Sequence, residues 1–470
     1  MDNTRPSAAS TRSTKVAVLT TEPLPLPGCA TTGAGLRAWG LAAGLISRGF
    51  TVVIGSPAAE GEFAGSDNLP RVVEMPRDEI GLFLQREEPD IVVLQHWGLA
   101  ANVPDVTVPL VIDLAGPHLL ERLFWGSDDP ARDRREKIAA LRRADFVICS
   151  GEYQRRYFLP FLLEAGHNLQ CENVLPVIPF SVPPPADSTN EGEPSLNEMN
   201  EPLFVYGGAF LAWQDPVRAL TWLLEEMDAT NKGRLLFVGG AHPVIDASGG
   251  RFLALDAMLR NHPRVERRGF LSFEDLTAAY REATVAVDLM TRNAERELAF
   301  TTRTMIYLWC GLPVIHDDYS EVGEIIDRND CGWTLSPDDE AGFRRVVREI
   351  LDDQAPLSEM REKALTVTGQ YNWERTITPL ADFCMAPHMR ASRDMDAEFG
   401  SNPNERDAAS AQTNQPDTSL SAQCRRNAIQ ALPHLAPLAG FLARLPAWIL
   451  RYRLKATATP PKSPSAKDIA

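Results

Sequence analysis

One segment of this chain gives the clearest information about its fold, and it reads Glu295-Arg-Glu-Leu-Ala-Phe-Thr-Thr-Arg303-Thr-Met-Ile-Tyr-Leu-Trp-Cys-Gly311-Leu-Pro313-Val-Ile-His-Asp-Asp-Tyr-Ser-Glu321-Val-Gly-Glu324-Ile. Charged residues precede a mostly apolar predicted helix, which stops at Cys310-Gly311. Residues 312–315 then read as a short buried strand, followed by a polar loop. In an α/β sheet, ligands bind outside the carboxyl ends of such strands, near helix N-termini. We therefore expect a ligand site here.

Short β-branched runs recur on both sides of this segment, with helical or loop stretches between them. Helices are predicted at 35–48, from the pair Asp215-Pro216 to about 227, and around 273–281. This alternation is typical of parallel, doubly wound sheets. The predicted strands lie at 15–21, 51–54, 91–94, 110–113, 146–149, 203–208, 235–240, 268–271 and 285–289.

The pattern occurs twice, which predicts two Rossmann-like domains and several connecting segments. The first domain spans 15–185 and the second 202–370, joined by a linker at 186–201 that is rich in Ser, Asn, Glu and Pro. We expect a crossover helix at 371–385 and a disordered linker at 386–420, where the composition turns polar. A basic amphipathic helical segment is predicted at 421–456.

Bulk composition excludes several classes of protein. The 470 residues have 44% hydrophobic content and a net charge of −16, which disfavours a nucleic-acid binder. Seven cysteines without CxxC or ordered Cys/His spacing indicate neither a zinc site nor a disulfide framework. Residues 1–14 lack a signal-peptide core, and no run approaches the roughly 20 apolar residues of a membrane span. We expect a soluble or peripheral protein.

The segment 424–456 carries six basic residues and no acid, interspersed with Leu, Ile and Trp448. Such a composition suits an interfacial anchor on an anionic membrane surface. The alternative is a helical hairpin docked on the second domain, with Pro433, Pro437 and Pro446 setting its bends. Both interpretations stay open at this point.

The segment from Glu295 resembles the donor-binding stretch of GT-B glycosyltransferases of family four, the bacterial glycosyl transferases group 1. It looks closest to members that read Glu, then Phe-Arg-Thr-Arg, then acid-Tyr-Leu-Trp-Ala-Gly-Leu-Pro. The resemblance covers about 15–385 and implies two Rossmann-like domains facing a central cleft. The implied activity is transfer of a sugar from a nucleotide-sugar to a glycan or lipid-linked acceptor, in cell-envelope polysaccharide or lipopolysaccharide synthesis.

Further properties follow from the same resemblance. The reaction is expected to retain configuration and to need no metal or cofactor, because helix dipoles and arginines can neutralise the diphosphate. An Asp-x-Asp motif occurs at 394–396, in the predicted disordered tail, and none is found in a plausible donor loop. The expected location is cytoplasmic, with peripheral attachment to the inner face of the plasma membrane through the basic segment.

The resemblance also assigns residues to the reaction. Arg303 would grip the donor diphosphate, Glu295 would contact the sugar hydroxyls, and Asp113 would share a catalytic role. The expected donor-binding set is Gly33, Gly35 and Arg37 in the first-domain glycine loop, Gly207 and Gly208 after the first strand of the second domain, and Arg296, Glu321 and Glu324. The glycine loop alone is a weak signal, and a plain tight turn is its alternative.

One position departs from the family pattern. Relatives usually carry an acid before Tyr-Leu-Trp that binds the ribose, and here Ile306 stands in its place. Either Glu297, Glu321 or Glu324 substitutes for that acid, or donor binding is altered or lost. The remaining cleft candidates, on the acceptor side, are His96, His118, Glu152 and Arg155, for which an incidental surface position is the alternative.

Two other functions remain open from the sequence. A catalytically degenerate GT-B module that binds a glycan or a partner protein would account for Ile306. A sugar-nucleotide epimerase of the same fold would need paired cleft carboxylates with a histidine.

Overall fold

The computed structural model of the protein describes residues 13–57, 62–65, 69–124, 126, 129–170, 174–184, 201–240, 248–354 and 356–391. Within these ranges, no helix is both long and apolar enough to cross a bilayer. The predicted linker, except residue 201, and the predicted disordered segment beyond 391 lie outside the described residues. So does the whole basic segment at 421–456.

The first domain is built on a seven-stranded sheet, in which six strands are parallel. Its strands are β1 Lys15–Leu19, β2 Thr51–Ser56, β3 Glu62–Phe63, β4 Arg71–Glu74, β5 Ile91–Leu94, β6 Leu110–Leu114 and β7 Phe146–Cys149. The order is β3-β4-β2-β1-β5-β6-β7, with β3 antiparallel to β4. The chain reverses direction of winding between β1 and β5, so the cleft of a doubly wound sheet opens there.

Helices cover both faces of this sheet. They are α1 Gly33–Ser47, α2 Ile80–Glu87, α3 His118–Phe124, α4 Pro130–Arg142 and α5 Glu152–Glu164, with 3-10 turns at Arg77–Glu79 and Trp97–Asn102. The Thr32 hydroxyl caps α1 by accepting the N–H of Gly35 at 3.0 Å. The N-terminus of α1 therefore follows directly from the loop after β1.

The second domain has a six-stranded parallel sheet. Its strands are β8 Leu203–Ala209, β9 Arg234–Gly240, β10 Val265–Arg268, β11 Val285–Asp288, β12 Val314–Asp317 and β13 Gly332–Leu335, in the order β10-β9-β8-β11-β12-β13. Its helices are α6 Val217–Thr230, α7 Leu253–Asn261, α8 Phe273–Arg281, α9 Ala294–Leu298, α10 Thr302–Trp309, α11 Glu321–Arg328, α12 Glu340–Asp352 and α13 Leu357–Thr368. The two sheets confirm the predicted fold class.

The observed strands differ from the predicted ones in two respects. The strand predicted at 268–271 lies instead at Val265–Arg268, where it pairs with residues 235–238 of β9. Its Val-Glu-Arg-Arg sequence suits a half-exposed edge strand and lacks an apolar run. The prediction was placed too late in the chain because it relied on the apolar Phe270 and Leu271 that follow. The strands β3, β4 and β13 were not predicted.

The chain returns to the first domain after α13, through α14 Trp373–Thr376 and α15 Thr378–Met385. Two short helices thus replace the single helix predicted at 371–385, since Pro379 at the start of α15 cannot continue the preceding helix. Val182 donates its N–H to the Tyr371 carbonyl at 3.0 Å, and Trp373 donates to the Val182 carbonyl at 3.1 Å. The segment that leaves the first domain and the segment that returns to it are therefore hydrogen-bonded to each other.

Candidate active site

The carboxyl ends of β8 and β11 meet the first turns of α10. Gly207 donates its N–H to the Tyr307 hydroxyl at 2.7 Å, and a Cβ there would lie 1.9 Å from the Tyr280 hydroxyl oxygen. Gly208 has φ +146°, and a Cβ would lie 2.8 Å from Nη2 of Arg303. Only glycine allows the backbone to approach this arginine so closely.

Arg303 is held at this point by three neighbouring side chains. Its Nη1 donates to Oδ1 of Asp288 at 3.1 Å, its Nη2 donates to Gln214, and its Cζ lies 5.0 Å from the centre of the Tyr206 ring. Burial opposes the charge, but Tyr206 and Asp288 attract it, and the pKa of Arg303 stays above its ordinary value. The Arg303 side chain is 12% exposed, so part of it is accessible to solvent.

Glu295 and Arg296 form a buried ion pair at the start of α9. Nε of Arg296 lies 2.7 Å from Oε2 of Glu295, and Nη2 lies 3.2 Å from Oε1. The Asn293 side chain caps this short helix by accepting both residues' N–H groups. Burial raises the pKa of Glu295, Arg296 lowers it, and Glu121 of the first domain raises it further. Glu295 therefore lies close enough to α3 for the charge of Glu121 to raise its pKa.

The glycine loop of the first domain lies against the start of α10. A Cβ on Gly33 would lie 3.0 Å from the Thr302 hydroxyl oxygen, and one on Gly35 would lie 1.9 Å from the Pro23 carbonyl oxygen. The structure thus brings the loop and the predicted donor helix together across the two domains.

Arg37 lies in α1, just after these glycines, and its side chain is buried. It binds Asp113 bidentately, Nε to Oδ2 at 2.7 Å and Nη2 to Oδ1 at 2.8 Å, and donates from Nη1 to the Ile178 carbonyl at 2.8 Å. Both side chains are buried. These contacts engage Arg37 and Asp113 with each other inside the first domain.

Glu321 and Glu324 extend from α11 to α5 of the first domain. Tyr153 donates its N–H to Oε2 of Glu321 at 3.1 Å, and its hydroxyl donates to Glu324. Burial raises the pKa of Glu321, while hydrogen bonds from the Glu152 and Tyr153 backbone lower it. Both carboxylates therefore contact the first domain in this structure.

Ile306 faces away from water. It is 4% exposed and belongs to an apolar cluster that includes Phe300 and Met305 of its own domain and Leu36 of the first domain. An acid at this position would be buried among apolar groups, which explains why isoleucine fits this chain.

The first-domain side of the cleft collects titratable groups. Nδ1 of His118 lies 3.1 Å from Oε2 of Glu121, and its ring packs edge-on against His96, with centroids 4.5 Å apart. Burial, followed by the charge of His118, lowers the pKa of His96 well below its ordinary value. Glu22, after β1, accepts from the Thr32 hydroxyl at 2.9 Å. Burial raises the pKa of Glu22, and among its charged neighbours His118 lowers it while Glu121 raises it.

Glu152 and Arg155 form a surface pair at the start of α5. Nη1 of Arg155 lies 3.4 Å from Oε2 of Glu152, and both side chains are exposed. They flank Tyr153, which contacts Glu321 and Glu324 of α11 in the second domain.

Several residues of this region were missed from the sequence. Asp288 closes a predicted strand, and the rule that ligands lie at carboxyl ends of strands could have found it. Glu22 follows β1 in the same way, and Glu121 lies three residues after His118. Gln214 and Tyr206 carry no sequence signal, because only the fold brings them to Arg303. The residues missed are Tyr206, Gln214, Asp288, Glu22 and Glu121.

The second domain matches a known family. Residues 201–353 match the model of glycosyl transferases group 1. A search of the curated proteins finds no match to this chain. The family match and the fold confirm the resemblance to group 1 glycosyltransferases, and with it the prediction that the chain is a glycosyltransferase.

Solved structures agree with this fold over most of the chain. Sucrose-phosphate synthase from Thermosynechococcus elongatus is 17% identical, with a TM-score of 0.59 over 79% of this chain and 98% of that one. Anabaena Alr3699/HepE in complex with UDP is 15% identical, with a TM-score of 0.54 over 79% and 100%. WaaG, a glycosyltransferase involved in lipopolysaccharide biosynthesis, is 15% identical, with a TM-score of 0.55 over 79% and 100%. These likenesses show the GT-B fold.

Proposed function

We propose that this glycosyltransferase moves a hexosyl group from a nucleotide diphosphate sugar to a glycan or lipid-linked acceptor, in cell-envelope polysaccharide or lipopolysaccharide synthesis. The observation that carries the proposal is the fixed guanidinium of Arg303 beside the glycines at the end of β8. A preorganised cation at a glycine-lined strand end suits a diphosphate leaving group. Similar folds bound to UDP, such as Alr3699/HepE, support a nucleotide of this type.

We further propose a metal-independent reaction that retains configuration. Arg303 supplies positive charge where the leaving diphosphate would develop negative charge, and the N-termini of α1 and α10 add backbone donors on both sides. Glu295 would meet the sugar from the α9 side. In this arrangement the protein contributes mainly by orienting donor and acceptor and by stabilising the departing charge.

The test is calorimetric binding of UDP, GDP, ADP and TDP to the wild-type protein and to Arg303→Ala. We expect one nucleotide to bind and its affinity to fall about 100-fold in the variant, as for loss of a charge-assisted contact of nearly 3 kcal/mol. Arg218→Ala is the matched control. Arg218 also pairs with an aspartate, Asp338, and lies over an aromatic ring, Trp222, but it sits on the second domain's surface.

The control should keep wild-type affinity. Absence of binding by all four nucleotides to the folded wild-type protein would reject the proposal. Such a result would favour the non-catalytic module, for which the burial of Ile306 is the supporting observation.

A further inference from the structure

The two domains touch each other at the N-termini of two first-domain helices. A Cβ on Gly33, at the start of α1, would lie 3.0 Å from the Thr302 hydroxyl oxygen of α10. A Cβ on Gly151, just before α5, would lie 2.5 Å from Oε2 of Glu321 and 3.3 Å from Cδ2 of Phe300. We propose that these five residues form an autoinhibitory interdomain latch, which holds the domains together without a donor and must open to admit the nucleotide diphosphate. This inference rests on the proposed function, since it concerns entry to the same site.

The polar part of the latch is a helix cap supplied by the other domain. The residue before α5 is Gly151, which has no side chain to accept the first N–H groups of the helix. Oε2 of Glu321 accepts the Tyr153 N–H at 3.1 Å, and the Glu152 backbone donates to the same carboxylate. The Tyr153 hydroxyl donates to Glu324, which also lies on α11. A carboxylate at a helix N-terminus is stabilised by these donors and by the helix dipole, so separating the domains costs α5 its cap.

An apolar contact lies beside this polar one. Leu36 of α1, three residues after Gly33, belongs to the same buried cluster as Phe300 and Ile306 of the second domain. Burial of apolar surface between the domains favours the closed arrangement, and an acid in place of Ile306 would oppose it. The isoleucine at this position therefore strengthens the latch.

The closed contact leaves no room for a donor between the N-termini of α1 and α10. A methyl group on Gly33 would already lie closer to the Thr302 hydroxyl than ordinary van der Waals contact allows. Because a phosphate group is larger than a methyl group, a diphosphate cannot lie between these two helices until they separate.

The latch therefore sets the fraction of molecules that can bind a nucleotide. When only an open population binds the ligand, the apparent affinity is lower than the intrinsic affinity by the fraction that is open. A substitution that weakens the latch without touching Arg303 should raise the apparent affinity. This direction is the opposite of the one expected for residues that contact the donor.

Two variants open the latch by different means, and calorimetry with UDP, GDP, ADP and TDP measures the result. Gly151→Ala inserts a methyl group whose three nearest atoms all belong to the second domain, and the extended backbone at φ −160° accepts alanine without strain. Glu321→Ala removes the cap instead. Each variant should bind the preferred nucleotide about fivefold to tenfold more tightly than the wild-type protein, as expected for the loss of one helix cap.

Two matched controls should keep the wild-type affinity. Gly81→Ala adds a methyl group in α2, where the Cβ would lie 3.7 Å from Pro104 of the same domain. Glu340→Ala removes a carboxylate that begins α12 as Glu321 begins α11, but that pairs with Arg344 of its own domain.

Amide hydrogen exchange at the start of α5 reports on the latch directly. Without nucleotide, exchange at Glu152 and Tyr153 should be faster in both variants than in the wild-type protein. Saturating nucleotide should also speed this exchange in the wild-type protein, whereas a ligand that only stabilises the closed arrangement would slow it.

Unchanged or weaker nucleotide binding in both variants would overturn the proposal, and so would slower exchange at the start of α5 in the nucleotide-bound wild-type protein. Failure of the proposed function would appear separately, as no nucleotide binding by the wild-type protein or by either variant.

Discussion

Each domain buries an arginine–aspartate pair at the end of a central strand, but the two pairs differ in what they leave for a ligand. Arg37 uses both arms of its guanidinium on Asp113 and a third donor on a backbone carbonyl, and it is 5% exposed. Arg303 donates one hydrogen bond to Asp288 and one to Gln214, and it lies over the Tyr206 ring. Its side chain is 12% exposed.

The difference shows that a buried arginine in a nucleotide-binding fold is not by itself a ligand contact. Removing one partner from a fully used pair leaves an uncompensated charge in the interior. Asp288 also accepts a hydrogen bond from the Thr304 hydroxyl, so removing Arg303 leaves Asp288 with a partner and mainly removes a donor. The first pair should therefore control stability, and the second should control affinity.

The largest expected effect tests the first half of that comparison. Arg37→Met should lower the free energy of unfolding by about 3–5 kcal/mol, because buried Asp113 loses its partner. Urea denaturation measures the loss, and the double variant Arg37→Met with Asp113→Leu should recover most of it. A loss below about 1 kcal/mol would show that water reaches this pair.

The second test compares Arg37 and Arg303 in one binding assay. Arg303→Lys keeps the charge but loses the planar fork, so nucleotide affinity should fall about 10-fold to 30-fold, or roughly 1.4–2 kcal/mol. Arg37→Lys should leave affinity within twofold in protein that remains folded. Comparable losses in the two variants would mean that both arginines meet the donor.

Lys137 is a third buried cation, and it differs from Arg37 and Arg303 because no carboxylate among the described residues pairs with it. Lys137 is fully buried, its Nζ lies 4.2 Å from the ring centres of Phe158 and Phe161, and Nζ has no hydrogen-bond partner among the described residues. Burial lowers its pKa to about 7. Unfolded chains bind a proton that the folded protein releases, so stability rises with pH between about 7 and 10.5.

Lys137→Met should therefore stabilise the protein at pH 7 by roughly 2 kcal/mol, allowing for partial compensation by the aromatic rings. This advantage should shrink as the pH of the denaturation experiment rises towards 10. Lys232→Met, on the surface beside Asp352, is the control and should show no such trend. Destabilisation at every pH would mean that the charged lysine is favourable inside its aromatic surroundings.

The smallest effect concerns the contact between domains. The pKa of Glu321 is raised, so the folded protein binds more protons than the unfolded chain just above pH 4.5, and stability falls as pH rises through that window. Glu321→Gln should remove this loss while keeping an acceptor for Tyr153. Thermal melting curves of the two proteins should differ slightly at pH 7 and converge below pH 4, whereas a constant difference would point to lost geometry instead.

The sequence predicted the two sheets well, because buried parallel strands are continuous β-branched runs with turn residues at their ends. It misplaced β10 because charged edge strands lack that signal, and it could not foresee the pairing of Arg37 with Asp113, 76 residues away. It also could not foresee that Glu321 and Glu324 accept hydrogen bonds from Tyr153 of the first domain. Side-chain partners of this kind depend on packing between distant segments, whereas strands depend on local pattern.

The return of the chain after α13 has a consequence for how the protein is made. Ile377, Leu380 and Phe383 belong to the same buried cluster as Val16 and the strands of the first sheet. Burying side chains of this size contributes about 1.5–3 kcal/mol each. During synthesis, residues 13–184 therefore emerge from the ribosome without part of their own core, and more than 190 further residues follow before it is filled. The core of the domain that is translated first is thus completed by residues that are translated after the second domain.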